Sequence, residues 1–224
     1  MAPAHVLSLG DVETRLRAAL ASGLPGLTAQ LRMAPRPRPG WPAPELPPDT
    51  RLAAALLLLF PSGEGPSLVL TKRASDLPQH AGQVSLPGGA IEPGERVEDA
   101  ALRETHEEIG LDPSAVRVVG LLTPLHIPVS GFAVHPVVGV SATGLSFRPA
   151  DREVERVIEV TVRDLADPAR VGTTMRVRDG KPYEVPYFDL AGEQVWGATA
   201  MILAEFLDAI GIGTRNEERG MRNA

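Results

Sequence analysis

Apolar positions follow two different periods along this chain, and together they predict both helices and strands. Val12, Leu16 and Leu20 recur at the spacing of one helix face, so residues 10–21 read as a helix with Asp11 as N-cap. From Leu52 to Phe60 the run is apolar without a break. Such a run suits a strand buried on both faces and is too short to cross a bilayer. Strands are expected near 51–60, 67–73, 116–123, 132–141 and 154–161, with a short turn or helix around Leu165. Segments 171–177 and 183–189 flank Asp179-Gly180, a dipeptide that favours a tight hairpin. A second amphipathic helix is expected over 197–210, with Met201, Phe206 and Ile210 among its apolar positions. Residues 34–49 are rich in Pro, with Arg36 and Arg38 interspersed, and read as an extended connector. No internal repeat is visible. The expected organisation is an N-terminal helix and connector over 1–50, one α/β domain with a mixed sheet between helices over 51–211, and a polar, frayed tail over 212–224.

The candidate chemistry sits between residues 89 and 111. Glu104, Glu107 and Glu108 are three and four residues apart, which on a helix stacks them on one face within an arc of roughly 100°. Three like charges at that spacing repel unless a cation offsets them, and oxygen-only ligands favour a hard ion such as Mg²⁺ or Mn²⁺. A glutamate-rich helix face is more often plain solvated surface. The surroundings argue otherwise. Pro87-Gly88-Gly89 precedes the helix and predicts a loop whose backbone approaches a ligand closely. Val97, Ala100 and Ala101 share the carboxylate sector and leave room for that loop. Leu102, Thr105 and Ile109 form an adjacent sector that can face a core, and Gly110 suits a left-handed helix end.

This stretch resembles the Nudix box, with Gly89, Glu95, Arg103, Glu104, Glu107, Glu108, Gly110 and Leu111 at the fixed positions and Thr105 where an aliphatic residue is usual. The resemblance implies a Nudix α/β/α sandwich that hydrolyses a pyrophosphate linked to another group. It implies Mg²⁺ or Mn²⁺ held by Glu104, Glu107 and Glu108, with the carbonyl of Gly89 as a candidate further ligand. Arg103 is expected to pair with Glu95 or with a metal-binding glutamate and so to orient it.

Residues 70–89 resemble the signature of the coenzyme A pyrophosphatase branch of that family. Leu70, Thr71, Arg73, Ala74, Gly82, Pro87, Gly88 and Gly89 match, while Pro78 stands where Arg is usual and Leu86 replaces Phe. Ser130-Gly131-Phe132, the run Val134–Gly139 and Trp196–Ala200 resemble further segments of the same branch. The implied reaction cleaves coenzyme A to 3′,5′-ADP and 4′-phosphopantetheine, with Arg73, His80, Gly88, Gly89 and Phe132 as candidate substrate contacts. Glu153, in preference to Glu155, is a candidate general base or further metal ligand. His106 is expected to point away from the carboxylates, and His126 and His135 to flank a loop at 124–131. Because of Pro78 and Leu86, another nucleoside diphosphate derivative such as ADP-ribose or NADH stays open as substrate. An isomerase or binding module on the same fold is a third reading.

Composition narrows the partners. The chain has 224 residues, 43% hydrophobic, enough for one good core. It has no cysteine, which excludes disulfides and thiolate metal sites. The net charge of −6 argues against bulk nucleic acid. No secretory signal is evident, so a cytoplasmic protein acting on a small molecule, away from membranes, is expected. The Pro-rich connector is a candidate surface for a second subunit, so a homodimer is one expectation.

Overall fold

A computed structural model describes residues 7–37, 46–75, 82–150 and 153–213. The chain opens with α1 (Leu9–Ser22) and the short α2 (Gly26–Gln30). Ser8, not Asp11, is the N-cap of α1. Asp11 is the third helical residue and accepts from the Ser8 amide at 2.9 Å, while its own amide donates to Ser8 Oγ at 3.1 Å. The acidic residue and the cap are reciprocal partners, which spacing alone left ambiguous.

The uninterrupted apolar run becomes β1 (Arg51–Ser62), the centre of the main sheet. β2 (Gly65–Arg73) turns back antiparallel to it, followed by β3 (Val84–Ser85) and β4 (Gly88–Ala90). Gly88–Ala90 was expected as a loop. It is a strand, because Ala53–Ala55 of β1 lie free beside it beyond the point where β2 leaves the ladder. The box helix α3 (Val97–Ile109) comes next, then β5 (Arg117–Leu121), β6 (Leu125–Ile127), β7 (Phe132–Val140) and β8 (Val154–Thr161). β1 and β7 run parallel and the other pairs antiparallel, so the sheet is mixed.

β1 is buried on both faces, which explains its unbroken pattern. Ala54, Leu56, Leu58 and Phe60 join the core under α3, while Ala55, Leu57 and Leu59 join the core that holds α1 and the last helix. After the short α4 (Val162–Leu165), a second sheet forms from β9 (Val171–Arg178), β10 (Lys181–Leu190) and β11 (Glu193–Trp196). The β9–β10 turn is at Asp179-Gly180, with φ of 52° and 72°, the left-handed pair that a two-residue hairpin demands.

The last helix, α5 (Gly197–Ala209), is not amphipathic as expected. Its residues from Thr199 to Leu207 are all buried, because α1, α2, both sheets and the turn Leu31–Met33 enclose it. Even Glu205 is fully buried, accepting from Gln30 Nε2 at 2.8 Å and from the Thr123 amide at 3.1 Å. The architecture is an α/β/α sandwich, with α3 on one face of the main sheet and α1, α2 and α5 on the other. Within the expected connector, Arg36 exchanges backbone hydrogen bonds with Glu184 on β10. Arg38 and the rest of 38–45, like the tail beyond residue 213, lie outside the described residues. No helix among the described residues is long and apolar enough to cross a membrane.

Candidate active site

α3 is placed by what it buries. Ala100, Ala101, Thr105 and Ile109 are fully buried against the sheet. Thr105, the departure from the usual aliphatic residue, donates its hydroxyl to the Ala101 carbonyl at 2.6 Å, so its polar atom is satisfied within the helix. Gly110 ends the helix at φ 67° with its amide on the His106 carbonyl. The carboxylates then emerge at the edge of the helix nearest β4.

Gly89 lets β4 meet the helix there, and Gly88 lets β4 lie close against β1. A Cβ on Gly89 would lie 2.4 Å from the Glu104 carboxyl carbon, and one on Gly88 would lie 2.2 Å from the Ala54 carbonyl oxygen. Neither position admits a side chain without displacement. The Gly88 amide donates to Glu108 Oε2 at 3.2 Å.

Glu108 is 7% exposed. Burial raises its pKa to about 8; the charges of Glu153 and Glu104 push the same way, against the Gly88 amide and Arg73. Arg103 serves three carboxylates. Its Nε and Nη2 grip Glu95 at 2.8 and 3.0 Å, its Nη1 holds Glu104 at 2.8 Å and approaches Glu107 at 3.4 Å, and Nη2 also donates to the Ala90 carbonyl at 3.1 Å. The Arg103 bonds, and after them the Glu92 amide, hold the Glu95 carboxyl at about 2, well below the ordinary carboxylate range. Arg103 itself is held more firmly protonated than a free guanidinium.

Arg73, at the end of β2, pairs with Glu153 at 3.1 Å. Glu155 points elsewhere, bonded to Ser75 Oγ at 2.8 Å and to Lys72 at 3.0 Å. Glu153 lies near enough to Glu108 for its charge to raise that carboxyl's pKa. Phe132 begins β7 opposite Arg51, whose guanidinium lies 4.0 Å from the ring centroid. His106 bonds the Leu111 carbonyl through Nδ1 at 2.7 Å, away from the carboxylates as expected. Burial alone lowers the pKa of His135, which lies opposite Ala54 in the ladder. His126 lies on β6, opposite Ala133. His80 and Pro78 lie outside the described residues.

The carboxylates suit a hard divalent cation in chemistry: the donors are all oxygens, and burial of Glu108 is relieved when a positive charge faces it. Among the described residues they do not converge into a preformed cage. Arg103 occupies one side of Glu104, and Glu107 is 56% exposed. Spacing gave no sign of two other features. One is the Lys72–Glu155–Glu193–Arg156 network that ties β11 to β2 and β8, with Glu193 at 3.1 Å from Lys72 and 2.9 Å from Arg156. The other is Arg51, whose only signal was a cation at the head of an apolar strand.

A carboxylate-bearing helix locked to a glycine-lined strand is a cation- and phosphate-handling arrangement in chemical terms. The family profile for the NUDIX domain matches residues 49–176, more than half of the chain, and the chain belongs to the Nudix hydrolase family. It is 37% identical over 163 residues to "Uncharacterized Nudix hydrolase NudL" of Enterobacter sp. (strain 638), covering 72% of this chain and 84% of that one. The protein of the same name from Salmonella paratyphi B (strain ATCC BAA-1250 / SPB7) is 38% identical over 160 residues, 71% of this chain and 83% of that one. Among solved structures, the Nudix hydrolase RenU from M. smegmatis is 29% identical, covers 53% of this chain and 74% of its own, and superposes with a TM-score of 0.45. Nudix hydrolases generally use divalent metal ions such as Mg²⁺ or Mn²⁺.

Proposed function

We propose that this Nudix hydrolase cleaves the pyrophosphate of coenzyme A, or of its thioesters, to 3′,5′-ADP and 4′-phosphopantetheine. The observation that carries the substrate is the segment 70–89, similar to the coenzyme A branch signature, which runs directly into the Gly88–Gly89 strand beside Glu104 and Glu108. Water adds across one P–O–P bond, so each product leaves with a terminal phosphate.

Glu104, Glu107 and Glu108 would hold Mg²⁺ or Mn²⁺, with the Gly89 carbonyl as a further ligand. When bound, such an ion offsets phosphoryl charge and acidifies water. The chain's own groups do the rest. Arg103, clamped on Glu95, fixes the direction of the Glu104 carboxyl in advance of the ion. The Gly88 amide fixes one oxygen of Glu108. Glu153, which Arg73 holds at 3.1 Å, would take a proton from the attacking water. Arg73, His80, Gly88, Gly89 and Phe132 would contact the substrate. Pro78 and Leu86 favour the second reading, another nucleoside diphosphate derivative such as ADP-ribose or NADH.

The test is product analysis by mass spectrometry after separate incubations with coenzyme A, ADP-ribose and NADH, each with and without Mn²⁺. The first reading expects metal-dependent 3′,5′-ADP plus 4′-phosphopantetheine from coenzyme A. Cleavage of ADP-ribose or NADH alone overturns the substrate and keeps the chemistry.

A further inference from the structure

The small sheet carries an edge that no described strand pairs. Among the described residues β9 pairs with β10 and with no other strand. Arg36 and Glu184 exchange both backbone hydrogen bonds, at 2.8 and 2.7 Å, on the far side of β10. Glu184 and Met175, opposite each other in the β9–β10 ladder, are therefore a wide pair without mutual hydrogen bonds. It follows that the amides and carbonyls of Val171, Thr173, Met175 and Val177 point outward from the edge.

The side chains of these same four residues lie on one face, because alternate residues share a face. That face is apolar and uncovered at its distal end. Met175 is 63% exposed, Val177 71% and Val171 38%. Nearer the core, the same face is roofed by Arg32, Met33 and Arg36 around a groove of about 130 Å³. An exposed strand edge with an apolar face is the feature that natural monomers ordinarily blunt with charge, Pro or a bulge.

We propose that β9 is the interface of a homodimer, in which two copies pair their β9 strands antiparallel about a twofold axis at Thr174. In that register Val171 meets the partner's Val177, and Thr173 meets the partner's Met175. All four are outward-pointing, so both backbone bonds of each pair can form. Arg176 meets the partner's Gly172 and keeps its own place 4.2 Å from the centroid of the Trp196 ring. The like-charge contact, made twice by the twofold, is Arg178 with the partner's Arg170, and Arg170 is already paired with Asp164 at 3.3 Å. A strand of this length spans about 26 Å, a contact smaller than a typical specific interface of ~800 Å² per partner, so the pairing is expected to depend on protein concentration.

Sedimentation velocity of the full chain from about 1 to about 200 μM tests this. The expected result is a reversible monomer–dimer equilibrium that Met175→Lys/Val177→Lys weakens at least tenfold. Met175→Pro deletes an outward amide without touching the β10 ladder and should act likewise. Circular dichroism checks that these variants fold. Hydrogen exchange on the wild type provides a reading that needs no variant, since the amides of Thr173, Met175 and Val177 should slow as concentration rises. A monomer throughout that range, or a dimer indifferent to both substitutions, overturns the proposal. In the first of those cases the edge is left to a strand from another protein.

Discussion

Glu108→Gln should stabilise the metal-free protein, and should do so only above a defined pH. Glu108 ionises near pH 8 in the folded protein against an ordinary value of 4.5, chiefly because it is buried. Between those values the folded state keeps a proton that the unfolded state has released. Fewer protons are bound when unfolded, so stability falls as pH rises through that window and levels off above the folded value. The full gap corresponds to about 5 kcal/mol, and relaxation around the partly exposed Glu104 and Glu107 should leave about 2–3 kcal/mol of it. Gln carries no charge, and its carbonyl can still accept from the Gly88 amide. Urea unfolding in the presence of a chelator, at a series of pH values, reads the difference. Wild type and variant should unfold together near pH 5 and separate as pH rises to 8.5, the variant the more stable. Saturating Mg²⁺ should reverse the order, because only the wild type gains the full binding free energy. Parallel stability curves across the whole pH range would show that burial of this carboxyl is not costly and that the crowded site is not strained without a cation.

Further outcomes follow from the same geometry. Glu104→Gln should cut turnover by orders of magnitude with the unfolding midpoint unchanged or raised; near-normal turnover would remove Glu104 from the metal site. Arg103→Lys keeps a charge but cannot span Glu95 and Glu104 together, so Mn²⁺ affinity, measured by calorimetry, should fall about 10- to 100-fold. Gly89→Ala forces Glu104 aside, and a displacement near 1 Å should cost about 100-fold in kcat/KM with the fold retained by circular dichroism. Far from the site, Glu205→Leu strands the Thr123 amide and one bond of Gln30, and chemical unfolding should show a loss of about 2–3 kcal/mol without a change in KM.

Much of this was legible because the signals were local. The unbroken run Leu52–Phe60 read as a buried strand, and from Ala53 to Phe60 it is one, with Leu52 exposed at its start; Asp179-Gly180 announced its hairpin through the backbone angles it favours. The carboxylate spacing, with two glycines upstream, gave the helix edge and its close contact with Gly89. The misses depend on tertiary partners. Whether Gly88–Ala90 is loop or strand is decided by a free stretch of β1 more than thirty residues earlier. α5 reads as amphipathic until Glu205, its fully buried carboxylate, finds Gln30 and Thr123 inside the protein. Ser8 and Asp11 are both good caps, and only the geometry of the first turn assigns them. The second sheet's ion pairs through Glu193 join residues far apart in sequence, with no motif to mark them.

The measurement that bears most directly on the central claim is the identity of the products from coenzyme A in the presence of Mn²⁺, read by mass spectrometry. The expected products are 3′,5′-ADP and 4′-phosphopantetheine in equal amounts, abolished by a chelator and strongly reduced by Glu104→Gln. Intact coenzyme A under conditions where ADP-ribose or NADH is hydrolysed would contradict it, and would leave a Nudix hydrolase whose substrate the segment 70–89 does not specify.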